Sequence, residues 1–344
     1  MMDGRSVRTN GRPPVSRRGW LRGAFSGCLG LSCSGIFAAQ SVQSGRSGSE
    51  DERSAEAELE GIRSRLEAAR IGPIHVARSA HYQGIGDAAE AFIKLILDDC
   101  EQLAEDYRVH FRKRELPVKM PQGRLTVVLL RDERSFGRFL RLPAPAHPVG
   151  GGAVLQPSGV YDRKTNLLQV FDWRNVPMAP RSASRNSETL AHEGTHQLTF
   201  NTGLLSREGD IPICIVEGLG TYGEPRQPRG PSELGRVNVK RLDDLAKIQR
   251  QVPWIPLKEL ITDDAVLRAG KAARVLLGYA QSWLLVHYLM KTPTEMPRFR
   301  NYLKAIASRT TKEHRLEDAQ AHLGDLDALD RELRRYSIRL LRSG

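Results

Sequence analysis

Two histidines stand four residues apart in TLAHEGTHQL, residues 189–198, with a glutamate beside the first. On an α-helix, residues at that spacing lie one turn above each other on one face. His192 and His196 can therefore both offer a ring nitrogen to one ion. Glu193 is turned about 100° from His192, so it reaches a water on that ion more easily than the ion itself. Two imidazoles and an adjacent carboxylate are the parts of a metal site with its own general base. Downstream, IVEGLGTYGE supplies Glu217, 21 residues after His196. A carboxylate from a second helix closes a tetrahedral site and leaves a fourth position open. Glu224 is its rival, seven residues on and so ~10 Å along the same helix face. Only one of the two can ligate, and Pro225 places Glu224 at a fraying helix end, which favours Glu217.

These residues need two helices held close together, and the surrounding sequence predicts them. The first spans about 187–202, capped by Asn186 or Ser187, with Gly203 where a left-handed C-terminal cap belongs. The second covers ICIVEGLGTYGE and ends at Pro225; Gly218 and Gly220 let it pack closely. Upstream, PIHVARSAHY reads as a strand and residues 87–111 as a helix capped by Asp87. RLTVVLLR, 124–131, reads as a buried strand and DERSFGRFLRL as a short helix. GVYD and NLLQVFDW read as a hairpin, with strand 166–172 as the sheet edge above the cleft. Residues 142–158, 176–182 and 225–235 read as loops, the last exposed. Beyond 238 the chain is mostly helical, and ARVLLGYAQSWLLVHYLM is apolar nearly all round, so buried. The fold class is α+β: a small mixed sheet packed on the helix of the two histidines, followed by a mostly helical C-terminal subdomain.

The chain has 344 residues, 40% hydrophobic, enough for one large core or two modest ones. Formal net charge is +12, of which Arg5, Arg8, Arg12, Arg17, Arg18 and Arg22 against Asp3 supply +5. The rest is mildly basic, without lysine blocks interleaved with aromatics, which argues against a nucleic-acid partner. Arg17 and Arg18, followed by Gly19, Trp20 and Leu21 and a weakly apolar run to Ala39, resemble a bacterial twin-arginine export signal. That resemblance implies cleavage after Ser41 and a periplasmic or extracellular protein that acquires its metal before export. Residues 42–70 follow as a flexible linker grading into a charged helix, and the fold is expected to start near Ile71. Cys28 and Cys33 leave with the signal, whereas Cys100 and Cys214 are either a disulfide or two buried thiols. No later stretch is apolar for long enough to span a membrane.

The metzincin continuation would need Gly at 199 and His at 202, and the chain has Thr199 and Thr202. TLAHEGTHQLTFN, then IVEGLGTYGE, then YAQSWLLVHYL instead resembles the gluzincin zinc metallopeptidases, and more narrowly their exported relatives of unknown substrate. The resemblance covers about residues 71–305 and leaves 306–344 as a C-terminal helical extension. It implies a zincin-like fold, a bound Zn²⁺ and hydrolysis of peptide bonds in a peptide or protein substrate. His192 and His196 match the helix ligands, Glu193 the general base and Glu217 the third ligand. Gluzincins also supply a Tyr or His to the developing oxyanion. Tyr279 matches a tyrosine at the start of the corresponding family helix, with Tyr222 and His287 as further candidates. Two other readings stay open: an exported non-catalytic binding protein on the same fold, and a zinc hydrolase of cell-wall or other amides.

Overall fold

The computed structural model describes residues 40–141, 159–175, 182–226, 230, 232–269 and 271–343. The chain from Gly48 onward forms one compact unit. The expected export signal falls outside the described residues apart from its last two positions, which begin a helix. So do 142–158 and 176–181, two of the three expected loops. Among the described residues no helix is long and apolar enough to cross a membrane.

The architecture is mixed α+β. Helix α1 (Gln40–Ala68) leads to strands β1 (His75–Arg78) and β2 (Tyr82–Gly86), then α2 (Glu90–Arg112), β3 (Leu125–Leu130) and α3 (Glu133–Leu140). The hairpin β4 (Gly159–Asp162) and β5 (Leu167–Phe171) precedes α4 (Ser182–Asn201) and α5 (Ile213–Gly223). The helical part continues through α6 (Val239–Ile248), α7 (Leu257–Thr262), α8 (Ala265–Arg268), α9 (Ala272–Lys291), α10 (Met296–Ala307), α11 (Arg315–Leu323) and α12 (Leu326–Ser343).

The five strands lie in the order β1-β2-β3-β5-β4. β2, β3 and β5 are parallel; β1 and β4 run antiparallel to their neighbours. The inner three are buried at every residue, as parallel strands covered on both faces must be. Alternation sorts them onto two faces. Ile85, Val128, Leu130, Leu167 and Phe171 meet Leu59, Ile62 and Leu66 of α1 and Phe136 and Phe139 of α3. Tyr82, Val127, Leu129, Leu168 and Val170 meet α2 and α4 on the opposite face. The core beneath α4 continues through α5 into the helical part, where α9 packs against α5, α6, α8, α10 and α12.

Several expectations change. The stretch expected to start as a linker is helical from Gln40, and Leu59, Ile62 and Leu66 seal one face of the sheet, so the fold starts before Ile71. Asp87 does not cap α2, which starts three residues later. It accepts the Arg131 N–H and the Ser135 hydroxyl, both at 2.8 Å, and so ties β2 to the turn after β3. PIHVARSAHY holds β1 and, after a turn, the start of β2. The sheet edge is β4, because β5 takes the place beside β3. In the expected exposed loop, Leu234 is buried. Residues 315–333 contribute Ala319, Leu323, Leu326, Leu329 and Leu333 to the same core as α9, so the C-terminal segment packs as part of the fold. Arg315 anchors it through Asp210 and Asp264, at 2.6 and 2.8 Å.

Candidate metal centre

α4 carries His192, Glu193 and His196 in its second half; Gly203, at φ +84°, ends the helix with the expected left-handed residue. The helix starts earlier than expected, at Ser182. Asn186 lies inside it and accepts the Trp173 N–H at 2.9 Å instead of capping.

α5 brings Glu217 to the histidines, and glycine makes the approach possible. A Cβ on Gly220 would stand 2.6 Å from Cε1 and 2.9 Å from Nε2 of His196, and 3.0 Å from Cε1 of His192. A Cβ on Gly218 would stand 2.6 Å from the Ser282 carbonyl oxygen of α9. Any side chain at these two positions would push α5 away from α4 or α9.

The three expected ligands converge. Nε2 of His192 lies 3.1 Å from Nε2 of His196, and Oε2 of Glu217 lies 3.2 and 3.5 Å from these two nitrogens. A tetrahedral zinc site with bonds of ~2.0–2.1 Å needs neighbouring ligand atoms ~3.3–3.4 Å apart. Two imidazoles and one carboxylate are also the donor set that zinc takes in sites with an open position. The residues present therefore fit the ion.

The electrostatics point the same way. An ionised carboxylate only accepts, and Oε1 of Glu224 sits 2.9 Å from Nδ1 of His192. Nδ1 thus carries a proton in the bond to Glu224, and an ion that displaced the proton on Nε2 would leave that nitrogen's lone pair to the ligand set. Burial alone would lower the pKa of the His192 imidazole; hydrogen bonds to Glu217 and Glu224 overcome it and push the value up to about 10. Burial would raise Glu217, but His196 and His192 hold it well below the usual carboxylate range. The pocket is built for positive charge where the ligand atoms meet.

Glu193 stands beside them. Burial pushes its pKa up, opposed by His192 and His196. The backbone N–H of Tyr161 on β4 donates to its Oε2 at 2.7 Å, so the edge strand itself aims the carboxylate. Tyr279 also comes to the site: Glu217, then burial, then Glu193 raise its phenol pKa, which keeps it a donor. The other two oxyanion candidates face elsewhere. The Tyr222 hydroxyl pairs with Nε2 of His110 at 2.9 Å, and Nδ1 of His287 with the Tyr336 hydroxyl at 2.8 Å.

Glu224 is no fraying residue. Its side chain is 11% exposed, and Nδ2 of Asn238 and Nε of Arg241 donate to its Oε2 at 2.6 and 2.9 Å. Burial would raise its pKa, but His192 and Arg241 bring it down to about 2. Its sequence signal was the seven-residue step from Glu217, which keeps both on one helix face. The clamping residues are 14 and 17 positions further on and gave no local sign. Cys100 and Cys214 are separate buried thiols, both with raised pKa values through burial.

The family described as "Protein of unknown function (DUF1570)" matches residues 186–312. That stretch contains both histidines, the three glutamates and Tyr279. No curated protein matches the chain.

Proposed function

We propose that the protein is a zinc-dependent hydrolase of the gluzincin type that cleaves peptide bonds. The observation that carries this reading is the convergence of His192 Nε2, His196 Nε2 and Glu217 Oε2 at 3.1–3.5 Å, with Glu193 fixed beside them. Further support comes from the small mixed sheet lying on the helix of the histidines, the zincin-like arrangement expected from the motif.

His192, His196 and Glu217 would hold the ion, which when bound supplies Lewis acidity toward a water and a carbonyl group. Glu193 takes the proton of the attacking water and delivers it to the departing amine. The Tyr161 N–H holds this carboxylate in place, and burial raises its proton affinity in the direction an acid–base group needs. Tyr279, kept protonated, donates to the carbonyl oxygen as charge develops there. Among the described residues β4 has a partner on one side only, so an extended peptide can pair with its other side through main-chain hydrogen bonds. Such binding confers little sequence specificity.

The test compares wild type with Glu193→Gln on a mixed peptide library, with metal content measured in parallel. Glu193→Gln should keep its metal and lose hydrolysis by a factor of ~10²–10⁴. A variant that remains fully active contradicts the assignment of the base. A wild type that binds metal but leaves all peptides intact would favour the binding-protein reading, or a non-peptide amide as substrate.

A further inference from the structure

Glu224 and Glu217 share one face of α5 and both touch His192, yet only Glu217 belongs to the converging set. What separates their roles is α6. Its N-cap, Asn238, accepts the Arg241 N–H at 3.2 Å and donates to the Thr221 carbonyl at 3.0 Å and to Glu224 Oε2 at 2.6 Å. The start of α6 is thereby pinned to the end of α5. Arg241, one turn in, closes a fork on Glu224: Nε donates to Oε2 at 2.9 Å and Nη2 to Oε1. Its side chain is 12% exposed, and its other neighbour is Asp244 at 3.9 Å. The guanidinium also lies 5.6 Å from the centroid of the Tyr279 ring. One side chain thus touches both the partner of a metal ligand and the proposed oxyanion donor.

We propose that Arg241 is the positioning residue of this centre: it keeps Glu224 out of the ligand set, as the fixed acceptor for His192 Nδ1–H, and it seats Tyr279. Two parallel bonds leave Glu224 no freedom to turn toward the ion, and a planar fork is what makes that possible. Arg241 also sets the charge. Glu193, Glu217 and Glu224 carry three negative charges when ionised, and one guanidinium leaves two, which a divalent cation neutralises. A lysine could supply the charge without the fork or the flat surface over Tyr279.

The inference rests on the metal reading above, and its test separates the two. Zn²⁺ affinity is measured on the full chain by competition with a chromophoric chelator, for wild type, Arg241→Met and Arg241→Lys. The visible absorption of the Co²⁺-loaded forms is recorded, with thermal unfolding of the metal-free forms as a check on folding. Arg241→Met should bind Zn²⁺ about 10–100-fold more weakly and show an altered Co²⁺ band. Arg241→Lys should recover only part of the affinity, and it carries the test alone if Arg241→Met does not fold. If wild type binds no Zn²⁺, the metal reading itself fails. If wild type binds and both variants bind as tightly or more tightly, with unchanged Co²⁺ bands, the role of Arg241 is overturned. A lowered unfolding temperature with unchanged affinity overturns it as well, because it marks a merely structural residue.

Discussion

α5 is flanked by two pairs of largely buried histidines whose neighbours differ in charge. On one side His192 and His196 meet Glu217, Glu224 and Glu193. On the other, His110 pairs with Tyr222 of α5, and His287 of α9 pairs with Tyr336. Burial pushes His110 down to about 3, helped by Arg114, Lys291 and Lys113, and His287 down to about 4, helped by Lys291. His192, also buried, is pushed up to about 10 instead. Desolvation acts on all three in the same direction, so the neighbours decide the outcome. Phenols and cations leave an imidazole neutral. Carboxylates on two sides make a pocket that demands positive charge. The pair His110 and His287 is core chemistry and the pair His192 and His196 is the candidate cation site, although both consist of histidines against one short helix.

The contrast yields predictions that can break it. The largest effect should come from Tyr279→Phe, with turnover falling ~10²–10³-fold and metal content unchanged. Tyr222→Phe should leave turnover as it is, and equal losses in the two would erase the distinction between the sides of α5. Next is Gly220→Ala, whose methyl would press on both ligand histidines. It should cost ~1–3 kcal/mol of stability in denaturant unfolding and weaken metal binding as well. The neutral pair gives a pH signature. An unfolded imidazole takes up its proton near pH 6.5, while His287 in the fold waits until about 4. Between those values the unfolded chain binds more protons, so stability falls as pH falls. His287→Asn should flatten the stability difference between pH 7 and pH 5 by on the order of 2 kcal/mol. An unchanged slope would mean that His287 is not held neutral. The smallest effect is the stability change in Tyr222→Phe, about 1 kcal/mol for the lost bond to His110.

Much of the site was legible because its signals are local. The four-residue step from His192 to His196, the small residues around Glu217 and the Gly203 cap all act within one or two helical turns. The hairpin and the buried strand were legible for the same reason. What escaped depends on contacts distant in sequence. A hairpin pattern cannot say which of its strands pairs with β3, and parallel pairing of β3 with β5 made β4 the edge. The backbone N–H of Tyr161 that aims Glu193 leaves no mark in residue type. Glu224 looked like a frayed end because Pro225 follows it, and only the position of α6 turns it into a clamped partner of His192. The early part of α1 looked like a linker because it is charged and small-residue rich. Its later apolar residues find a partner only once the sheet exists.

The most direct test of the cation site is metal stoichiometry. Wild type, His196→Ala and His287→Ala are loaded with Zn²⁺, dialysed, and analysed for zinc per chain. The account predicts close to one zinc in wild type and in His287→Ala, and essentially none in His196→Ala. No zinc in wild type, or the same amount in all three, would contradict it.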